Sequence, residues 1–237
     1  MLLPAEHEVH IWCVSLKVTP ETAARLYASL SIDEQERSSR FHFQHDQQHF
    51  VVAHGALRDL LGRYLALQPA RLSYVYNAFG KPELSPVLGS RLRFNLSHSA
   101  DLALIAIAAN VDVGIDLEAI REQSGYAAIA QQFFAATEIQ QLDRLQGRGY
   151  TEAFLRYWTR KEAYLKARGD GLTIPLDSFT IPQASNPPYA LPGCQTPEES
   201  VRMEGWSLYD LQPAPDYLGA LAIEGNGWGL KQYQWMP

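Results

Sequence analysis

A short run at residues 114–118, with the sequence GIDLE, constrains the fold more than any other part of the chain. Two aliphatic residues, Ile115 and Leu117, alternate with two acidic residues, Asp116 and Glu118. Because successive side chains of a β-strand point to opposite faces, this alternation predicts a strand with one face in a core and both carboxylates on the other. Two neighbouring negative charges repel, so we expect a positive group to lie close to them.

A second run, WTRKEAYLK at residues 158–166, offers a partner for these carboxylates. Glu162 and Lys166 are four residues apart and therefore share one face of a predicted helix. In isolation this spacing is typical of a surface ion pair, and the strand carboxylates alone are typical of a solvated edge. Trp158 makes the same helical face partly apolar, however, and a carboxylate on such a face needs a partner because burying an unpaired charge is costly.

Asp116, Glu118 and Glu162 together form a set of oxygen ligands without sulfur or imidazole. Oxygen-only sets are typical of Mg²⁺ or Mn²⁺ sites rather than zinc sites, and Mg²⁺ commonly shares its ligands with substrate phosphates. The pattern therefore predicts a divalent-cation site, with Lys166 placed to offset the negative charge of a phosphate.

The rest of the chain predicts a mixed α+β fold by its periodicity and turn residues. The runs 102–108 and 113–118 predict a hairpin, and the proline-containing stretch 182–197 predicts a long ordered loop. The similarity of 101–107 to 216–223 hints at two similar halves. We expect helices over 20–30, from 31 onward, over 46–67, over 127–146 with a candidate break near 135–138, and over 152–168. We expect strands over 9–16, 72–76, 93–99, 102–108, 113–118, 172–174, 178–181, 206–211, 217–223 and 230–235.

The composition narrows the class of protein. A chain of 237 residues fits one large domain or two small ones, and its net charge of −6 argues against a nucleic-acid partner. Its two cysteines, Cys13 and Cys194, favour free thiols over a disulfide or a zinc site. No apolar run approaches the ~18 residues of a membrane span, and no basic-then-apolar leader is present. We expect a soluble cytoplasmic protein without a membrane partner.

Several cationic side chains are candidate phosphate ligands. His98 lies in a turn rich in Asn and Ser, Lys81 follows a Gly, and Arg37 and Arg40 lie on one predicted helix. Each alone is more typical of a structural or surface residue. The turn at His98, however, could present backbone amides and its imidazole to a phosphate. The chain has no Walker A loop, no Gly-x-Gly-x-x-Gly and no Gly-x-Ser-x-Gly, so the common nucleotide-binding and hydrolase motifs find no support.

The order of the motifs resembles the 4′-phosphopantetheinyl transferase superfamily, in its long, single-chain, Sfp-like type. The matching segments span about residues 31–181, and although each is short, their common order is specific. They are GKP at 80–82, FNLSHS at 94–99, GIDLE at 114–118, Phe133, Phe134 and Glu138, WTRKEAYLK at 158–166, and GDGL at 169–172.

The resemblance implies two similar α/β halves, residues 1–115 and 116–237, in a pseudo-twofold arrangement with the active site in the cleft between them. It implies a monomer that transfers the 4′-phosphopantetheine arm of coenzyme A to a serine of an apo acyl or peptidyl carrier protein and releases adenosine 3′,5′-bisphosphate. Carriers of fatty-acid, polyketide and non-ribosomal peptide synthesis all fit this description.

The resemblance also implies roles for particular residues. The positions of Asp116, Glu118 and Glu162 hold Mg²⁺ on the pyrophosphate of coenzyme A, and Lys166 contacts phosphate. Either Glu162 or a metal-bound water is the general base. The other positions around the nucleotide and its phosphates are Arg37, Lys81, Ser97 and His98, with Lys161 a weaker candidate.

Three residues depart from the family pattern. Glu34, Gln47 and His49 stand where members often carry basic residues. This predicts altered contacts to the 3′-phosphate, with His49 as a partial substitute.

Two other functions use the same residues: a Mg²⁺-dependent pyrophosphate hydrolase, and a non-catalytic binder of coenzyme A or a carrier protein. All three bind phosphate, but only the transferase modifies a protein.

Overall fold

The structure, a computed structural model, describes residues 3–121, 124–181, 189–190, 201–203 and 205–237. Within these residues the chain is a mixed α+β fold, as the sequence predicts. The helices are α1 (Pro20–Ser29), α2 (Ile32–Ser39), α3 (Gln44–Leu65), α4 (Tyr126–Phe133), α5 (Ala136–Leu142) and α6 (Gly147–Arg168). The strands are β1 (Glu8–Ser15), β2 (Tyr74–Tyr76), β3 (Pro82–Leu84), β4 (Leu92–Ser99), β5 (Leu102–Ala109), β6 (Val113–Ala119), β7 (Tyr189–Ala190), β8 (Val201–Met203), β9 (Trp206–Gln212), β10 (Tyr217–Glu224) and β11 (Gly229–Gln234).

The strands form two main sheets. The first has the order β11-β1-β5-β4, and the second has the order β6-β10-β9-β7, with β8 also paired to β9. A separate two-stranded ribbon joins β2 and β3. The segments β1-β5-β4 and β6-β10-β9 are antiparallel throughout and occupy equivalent places in the chain. This repeated strand order supports the expectation of two similar halves, whereas their pseudo-twofold relation stays a prediction.

Three hydrophobic cores follow from the alternation of apolar residues along the strands. On β1, Trp12 and Val14 face the helices α1 and α3, while Val9, Ile11 and Cys13 face the second sheet. A corresponding core packs α4, α5 and α6 against β9 and β10. The two sheets are therefore joined by a central core and carry helices on their outer faces.

The predicted alternation of residues 114–118 is confirmed, because Ile115 and Leu117 are buried in the central core. Gly114 lies on the opposite face of β6, where a Cβ atom would come within 2.0 Å of the Ala163 carbonyl oxygen and 2.3 Å of the Ala167 amide nitrogen. Helix α6 thus packs backbone-to-backbone on β6, and only glycine permits this approach. Asp116 is carried on the same face of the strand as Gly114.

The predicted hairpin of 102–108 with 113–118 is wrong. Strand β5 already has β1 and β4 as its two neighbours, and β6 pairs with β10 in the second sheet. Asn110, with φ of 63°, donates its amide to the Arg91 carbonyl and turns the chain away from the first sheet. Because a hairpin signal is local, it could not reveal that the neighbouring position was occupied by a distant strand.

Other predictions about the second half are corrected in part. The expected break near 135–138 is confirmed between α4 and α5, but α6 begins at Gly147 rather than near 152. The strands expected over 172–174 and 178–181 are wrong, since 3₁₀ turns occupy 171–173 and 176–178. Here the carbonyls of Leu176 and Phe179 accept hydrogen bonds from the buried Lys161 ammonium at 2.7 Å instead of joining a ladder.

Some expectations fall outside the described residues or stay untested. The proposed loop at 182–197 and Cys194 lie largely or wholly in undescribed stretches, whereas Cys13 is a buried free thiol. The division at 115/116 falls inside β6, and β11 pairs in parallel with β1 in the first sheet. Across the described ranges, no helix combines the length and the apolar character that crossing a bilayer requires.

The Gly114 contact gives a direct test of the fold. Gly114→Ala should lower the free energy of unfolding by about 1–3 kcal/mol or more, because α6 must move off β6 to admit a methyl group. Urea denaturation followed by circular dichroism measures the change. Gly149→Ala in helix α6 is the matched control, because a Cβ atom at Gly149 would meet nothing within 4 Å. This substitution should raise the free energy of unfolding by about 0.5–1 kcal/mol. Equal effects of the two substitutions would contradict the close packing.

Candidate active site

A cleft of about 900 Å³ lies where α2, the β2–β3 ribbon, β4 and the C-terminal half of α6 meet. Seven of the candidate site residues named from the sequence line this cleft, whereas Asp116 and Glu118 are not among its lining residues. The seven are Arg37, Arg40, Lys81, Ser97, His98, Glu162 and Lys166. The structure therefore brings together side chains that are up to about 130 residues apart in the sequence.

Asp116 is 4 % exposed and lies behind the cleft wall, against Ser97 and Lys166 of the lining. Its Oδ1 atom accepts hydrogen bonds from Lys166 Nζ at 2.5 Å and from Ser97 Oγ at 2.9 Å. Lys166 Nζ also contacts Ser97 Oγ at 3.1 Å. The second carboxylate oxygen, Oδ2, is buried and has no hydrogen-bond partner among the described residues. The positive group expected near the strand carboxylates is thus Lys166, and it neutralises only one side of Asp116.

Polar side chains of β4 hold β6 at the edge of the second sheet. The amides of Ile115, Leu117 and Ala119 donate to side-chain oxygens of β4 at 2.9, 3.3 and 3.1 Å, respectively. The acceptors are Asn95 Oδ1, Ser97 Oγ and Ser99 Oγ. We call these three side chains the polar seam. The seam joins the two sheets by side-chain hydrogen bonds where backbone pairing is absent, and Ser97 belongs to it as well as to the cleft.

Glu118 and Glu162 are half-buried acids close to Asp116. Burial raises the pKa of Glu118, and the charge of Asp116 raises it further, while Ser99 and Lys166 lower it. Burial also raises the pKa of Glu162, with a second contribution from Asp116 and an opposing one from Lys166. The three carboxylates therefore interact electrostatically with one another, and the ammonium of Lys166 does not neutralise them fully. An oxygen-rich, negatively charged group of side chains of this kind fits a hard divalent cation.

The carboxylates do not form a closed metal cage in this arrangement. Within the described ranges, no group of three or more His, Cys, Asp or Glu side chains is placed to hold a metal ion. The buried, unpartnered Asp116 oxygen and the raised pKa values of Glu118 and Glu162 nevertheless show that the donor set suits such an ion. The assignment of Asp116, Glu118 and Glu162 as ligands stays a prediction.

His98 opens onto the cleft, with His54, His49 and Lys166 nearby. Desolvation by the cleft walls is the largest cause that lowers its pKa to about 4; repulsion from these three side chains also lowers the pKa, and Asp46 opposes the shift. The imidazole is therefore neutral at pH 7 in the ligand-free protein. A neutral ring among cationic groups is poised to take up a proton when an anion binds beside it.

Lys81 lines the cleft, but its ammonium already has partners within the protein. Nζ donates to the Ala167 carbonyl at 2.7 Å and lies 3.6 Å from Asp112 Oδ1. Asn77 of the same loop donates to the Gly169 carbonyl at 2.8 Å. The loop thus caps the carbonyl end of α6, where positive and N–H groups are favoured by the helix dipole. Burial lowers the pKa of Lys81.

The end of the cleft next to α2 shows what the departure from the family pattern at Glu34 does to the structure. Glu34 is buried, and its Oε2 accepts from Arg58 Nε at 2.6 Å and from the Ser31 amide at 2.9 Å. Burial opposes ionisation, but His54, the Ser31 amide and Arg58 bring the pKa of Glu34 down to about 2. Glu34 therefore anchors α2 to α3, and exposed Arg37 is carried on the same helix into the cleft.

His49 and Lys161 lie away from the cleft lining. The His49 imidazole faces Asp101, with Nε2 at 3.8 Å from Oδ1, so its predicted contact to the 3′-phosphate stays a prediction. Lys161 is fully buried in the second half, where Nζ pairs with Glu138 Oε2 at 2.9 Å. Glu138 Oε1 accepts from the Ile181 amide at 2.7 Å. The Lys161–Glu138 pair therefore ties α5, α6 and the following turns together.

Several residues of the site carry no recognisable signal in the sequence. His54 and three aromatic residues of the cleft wall belong to no motif, because an aromatic pattern in a strand or helix is as typical of a core as of a ligand site. The three aromatic residues are Tyr74, Tyr76 and Phe79, whereas Phe94 begins the FNLSHS segment. The alternation of Asn95, Ser97 and Ser99 was the signal for the polar seam, since period-two polar residues on a strand share a face.

Comparison with known proteins places this site in a family. A model described as the 4′-phosphopantetheinyl transferase superfamily matches residues 112–222. A model described as the N-terminal part of 4′-phosphopantetheinyl transferases matches residues 17–110. The two matches meet in the turn at residues 110–112, directly before β6, the strand that carries Asp116 and Glu118.

Individual proteins give the same result. The chain is 37% identical to the 4′-phosphopantetheinyl transferase HetI of Nostoc sp. over 232 residues, which cover 94% of this chain and 91% of HetI. It is 31% identical to a 4′-phosphopantetheinyl transferase of Bacillus subtilis over 157 residues, covering 66% and 68% of the two chains. It is 27% identical to Sfp of B. subtilis over 164 residues, covering 69% and 71%. The chain belongs to the 4′-phosphopantetheinyl transferase superfamily, and these matches are consistent with the long, Sfp-like type.

The raised pKa of Glu162 predicts that its ionised carboxylate lowers the free energy of unfolding of the ligand-free protein. A carboxyl group whose pKa is raised by folding binds more protons in the native than in the unfolded state, so its contribution to stability falls as pH rises from about 4.5 through the raised pKa. Glu162→Gln should therefore increase the free energy of unfolding at pH 7.5, by about 0.5–2 kcal/mol, and reduce the pH dependence.

Urea denaturation between pH 5 and 8 measures this effect. Glu152→Gln is the control on the same helix, because Glu152 forms an (i, i+4) pair with Arg148 at the surface, and its loss should change stability by less than about 0.5 kcal/mol. A lower stability of Glu162→Gln at pH 7.5 would contradict an uncompensated charge at this position.

Proposed function

We propose that this member of the superfamily transfers the 4′-phosphopantetheine arm of coenzyme A to a serine of an apo acyl or peptidyl carrier protein. The observation that supports this most directly is that Glu162 and Lys166 line a cleft large enough for a nucleotide, while Lys166 also forms an ion pair with the buried Asp116. Adenosine 3′,5′-bisphosphate is the second product. We further propose that the enzyme acts as a cytoplasmic monomer.

The reaction forms a bond between the serine oxygen and the β-phosphorus and breaks the phosphorus–oxygen bond to the leaving nucleotide. The serine hydroxyl must lose its proton during this displacement, and the departing bisphosphate gains negative charge. Glu162 is half-buried, faces the cleft and has a raised pKa, so it is suited to accept that proton. Lys166 is placed to stabilise the charge on the leaving group.

Mg²⁺, or Mn²⁺ in its place, would be held by Asp116, Glu118 and Glu162 and would offset the charge of the pyrophosphate. The support is the oxygen-only donor set, the buried Asp116 oxygen without a partner, and the mutual influence of the three acids. Ser97 and Lys166 already fix the other oxygen of Asp116, so the free oxygen is the one left for a cation.

The nucleotide would lie toward α2 and the β2–β3 ribbon, where cationic and aromatic side chains line the cleft. Arg37 and His98 are the side chains best placed for its phosphates, while Lys81 would act mainly through the α6 terminus that it caps. Aromatic residues of the wall offer a surface on which a base can stack.

One experiment separates the transferase from its alternatives. The protein is incubated with coenzyme A, Mg²⁺ and an apo carrier protein, and the carrier is examined by intact-mass spectrometry. A gain of one phosphopantetheine together with release of adenosine 3′,5′-bisphosphate is the expected result. Release of nucleotide without a change in the carrier would favour the pyrophosphate hydrolase. Binding without either product would favour a non-catalytic binder. Ranking a panel of fatty-acid, polyketide and peptide carriers by rate would then identify the partner.

A substitution at His98 tests the predicted contact to the 3′-phosphate. His98→Ala should weaken coenzyme A by about 10- to 100-fold, since a charge-assisted hydrogen bond contributes about 1.5–3 kcal/mol, and should leave dephospho-coenzyme A nearly unchanged. Isothermal titration calorimetry with both ligands measures the difference. Because the pKa of His98 is about 4 in the free protein, wild-type binding should also take up a proton and strengthen as pH falls from 8 toward 6.

His42→Ala is the control for this substitution, because His42 is exposed and lies outside the cleft lining. Equal weakening of coenzyme A and dephospho-coenzyme A by His98→Ala would remove His98 from the 3′-phosphate contact.

The position of Lys166 predicts that the binding of a metal ion and the binding of coenzyme A are coupled. In the ligand-free protein its ammonium lies on Asp116, so a cation binding there must compete with it until a phosphate gives Lys166 a new partner. Lys166→Met should tighten Mn²⁺ binding to the coenzyme A-free protein by about 5-fold or more and reduce the gain that coenzyme A gives to Mn²⁺ affinity. Electron paramagnetic resonance titration of Mn²⁺ measures both quantities.

The matched control is Lys17→Met, which removes an exposed lysine paired with Asp101 at 2.8 Å and should change neither quantity. Unchanged or weaker Mn²⁺ binding in the coenzyme A-free Lys166→Met protein would contradict the competition.

A further inference from the structure

The polar seam assigns a role to the last residue of the FNLSHS segment: we propose that Ser99 is a positioning residue for Glu118. The proposal rests on the proposed function, since it concerns one of the three carboxylates of the candidate cation site. Ser99 lies at the end of β4, next to the end of β6. It acts through Glu118 and is not itself one of the residues that line the cleft.

The Ser99 hydroxyl acts as both a hydrogen-bond acceptor and a hydrogen-bond donor. Its oxygen accepts from the Ala119 amide at 3.1 Å, and its proton is donated to Glu118 Oε2 at 2.9 Å. Because the amide fixes the direction of the lone pair, the hydroxyl proton points to the carboxylate. Ser97 does the same one step earlier on the strand, with the Leu117 amide at 3.3 Å and Asp116 Oδ1 at 2.9 Å.

Comparison within the seam shows that the hydroxyl is more than a structural contact. At the third position, Asn95 accepts from the Ile115 amide at 2.9 Å with a side-chain carbonyl oxygen. The residue that precedes Ile115 on β6, in the place that Asp116 and Glu118 occupy relative to the two serines, is Gly114, which has no side chain for a donor to meet. Holding β6 therefore requires only an acceptor, whereas serine appears at the two positions where a donor also meets a carboxylate.

Glu118 needs such a donor to keep its orientation. It is half-buried, and Asp116 repels it, so an unrestrained side chain would turn toward solvent. The hydrogen bond from Ser99 to Glu118 Oε2 opposes this rotation. With Oε2 held by Ser99 and the backbone held in β6, the direction of Oε1 is fixed as well. Groups that orient a metal ligand in this way typically change metal affinity by 10–100-fold when removed.

Three variants test the proposal: Ser99→Ala, Ser99→Thr and Asn95→Ala. Ser99→Ala and Asn95→Ala each remove one seam hydrogen bond to a β6 amide, but only Ser99→Ala removes a carboxylate contact. Both alanine variants should lower the urea midpoint of unfolding to a comparable extent. In the presence of coenzyme A, Ser99→Ala alone should weaken Mn²⁺ binding by about 10-fold or more, and Ser99→Thr should restore it.

A second readout does not depend on metal, on coenzyme A or on carrier modification. Side-chain carbon NMR of Glu118 in ligand-free protein should show a single rotamer in the wild type, in Ser99→Thr and in Asn95→Ala, and rotamer averaging in Ser99→Ala. Averaging already present in the wild type, or equal behaviour of the two alanine variants in both measurements, would overturn the proposal. Failure of the carrier to be modified would count against the proposed function while leaving the NMR result to decide the role of Ser99.

Discussion

The close contact of α6 with β6 at Gly114 is the constraint on which the rest of the site depends. The chain has no room there for any side chain beyond hydrogen, so helix and strand touch through their backbones. Helical spacing then places Glu162 and Lys166 next to the contacting residues Ala163 and Ala167, and strand alternation places Asp116 on the same face of β6 as Gly114. A wider separation would leave the Lys166 ammonium unable to reach Asp116, which it contacts at 2.5 Å.

The site and the junction of the two sheets are built from the same side chains. The central apolar core holds the sheets face to face, but the adjacent edges of β4 and β6 are joined only by the polar seam within the described residues. Ser97 contributes to the seam, to Asp116 and to the Lys166 contact at once. Stability and chemistry are therefore coupled at this edge, and the cost of gathering acids there appears as the raised pKa values of Glu118 and Glu162.

Much of the fold could be predicted because its signals are local. Alternation gave the two faces of β6, and (i, i+4) spacing gave the Glu162–Lys166 face of α6. What could not be predicted depends on contacts between distant segments. The pairing of β6 with β10 rather than β5 was set by β1, which occupies the other edge of β5. Likewise the motif contains two lysines, and only packing shows that Lys161 is buried against Glu138 while Lys166 faces the cleft.

The C-terminal strand has a mechanical consequence. After completing the second sheet, the chain returns along β11 to pair with β1 over six residue positions, and Trp235 Nε1 then donates to Asp59 of α3 at 2.8 Å. The chain therefore passes between the two sheets twice, once at β6 and once at β11. A wide hinge opening would have to peel this ladder apart, so entry and exit of a bulky nucleotide should rely on side chains and loops at the rim of the cleft, with the sheets moving as one unit.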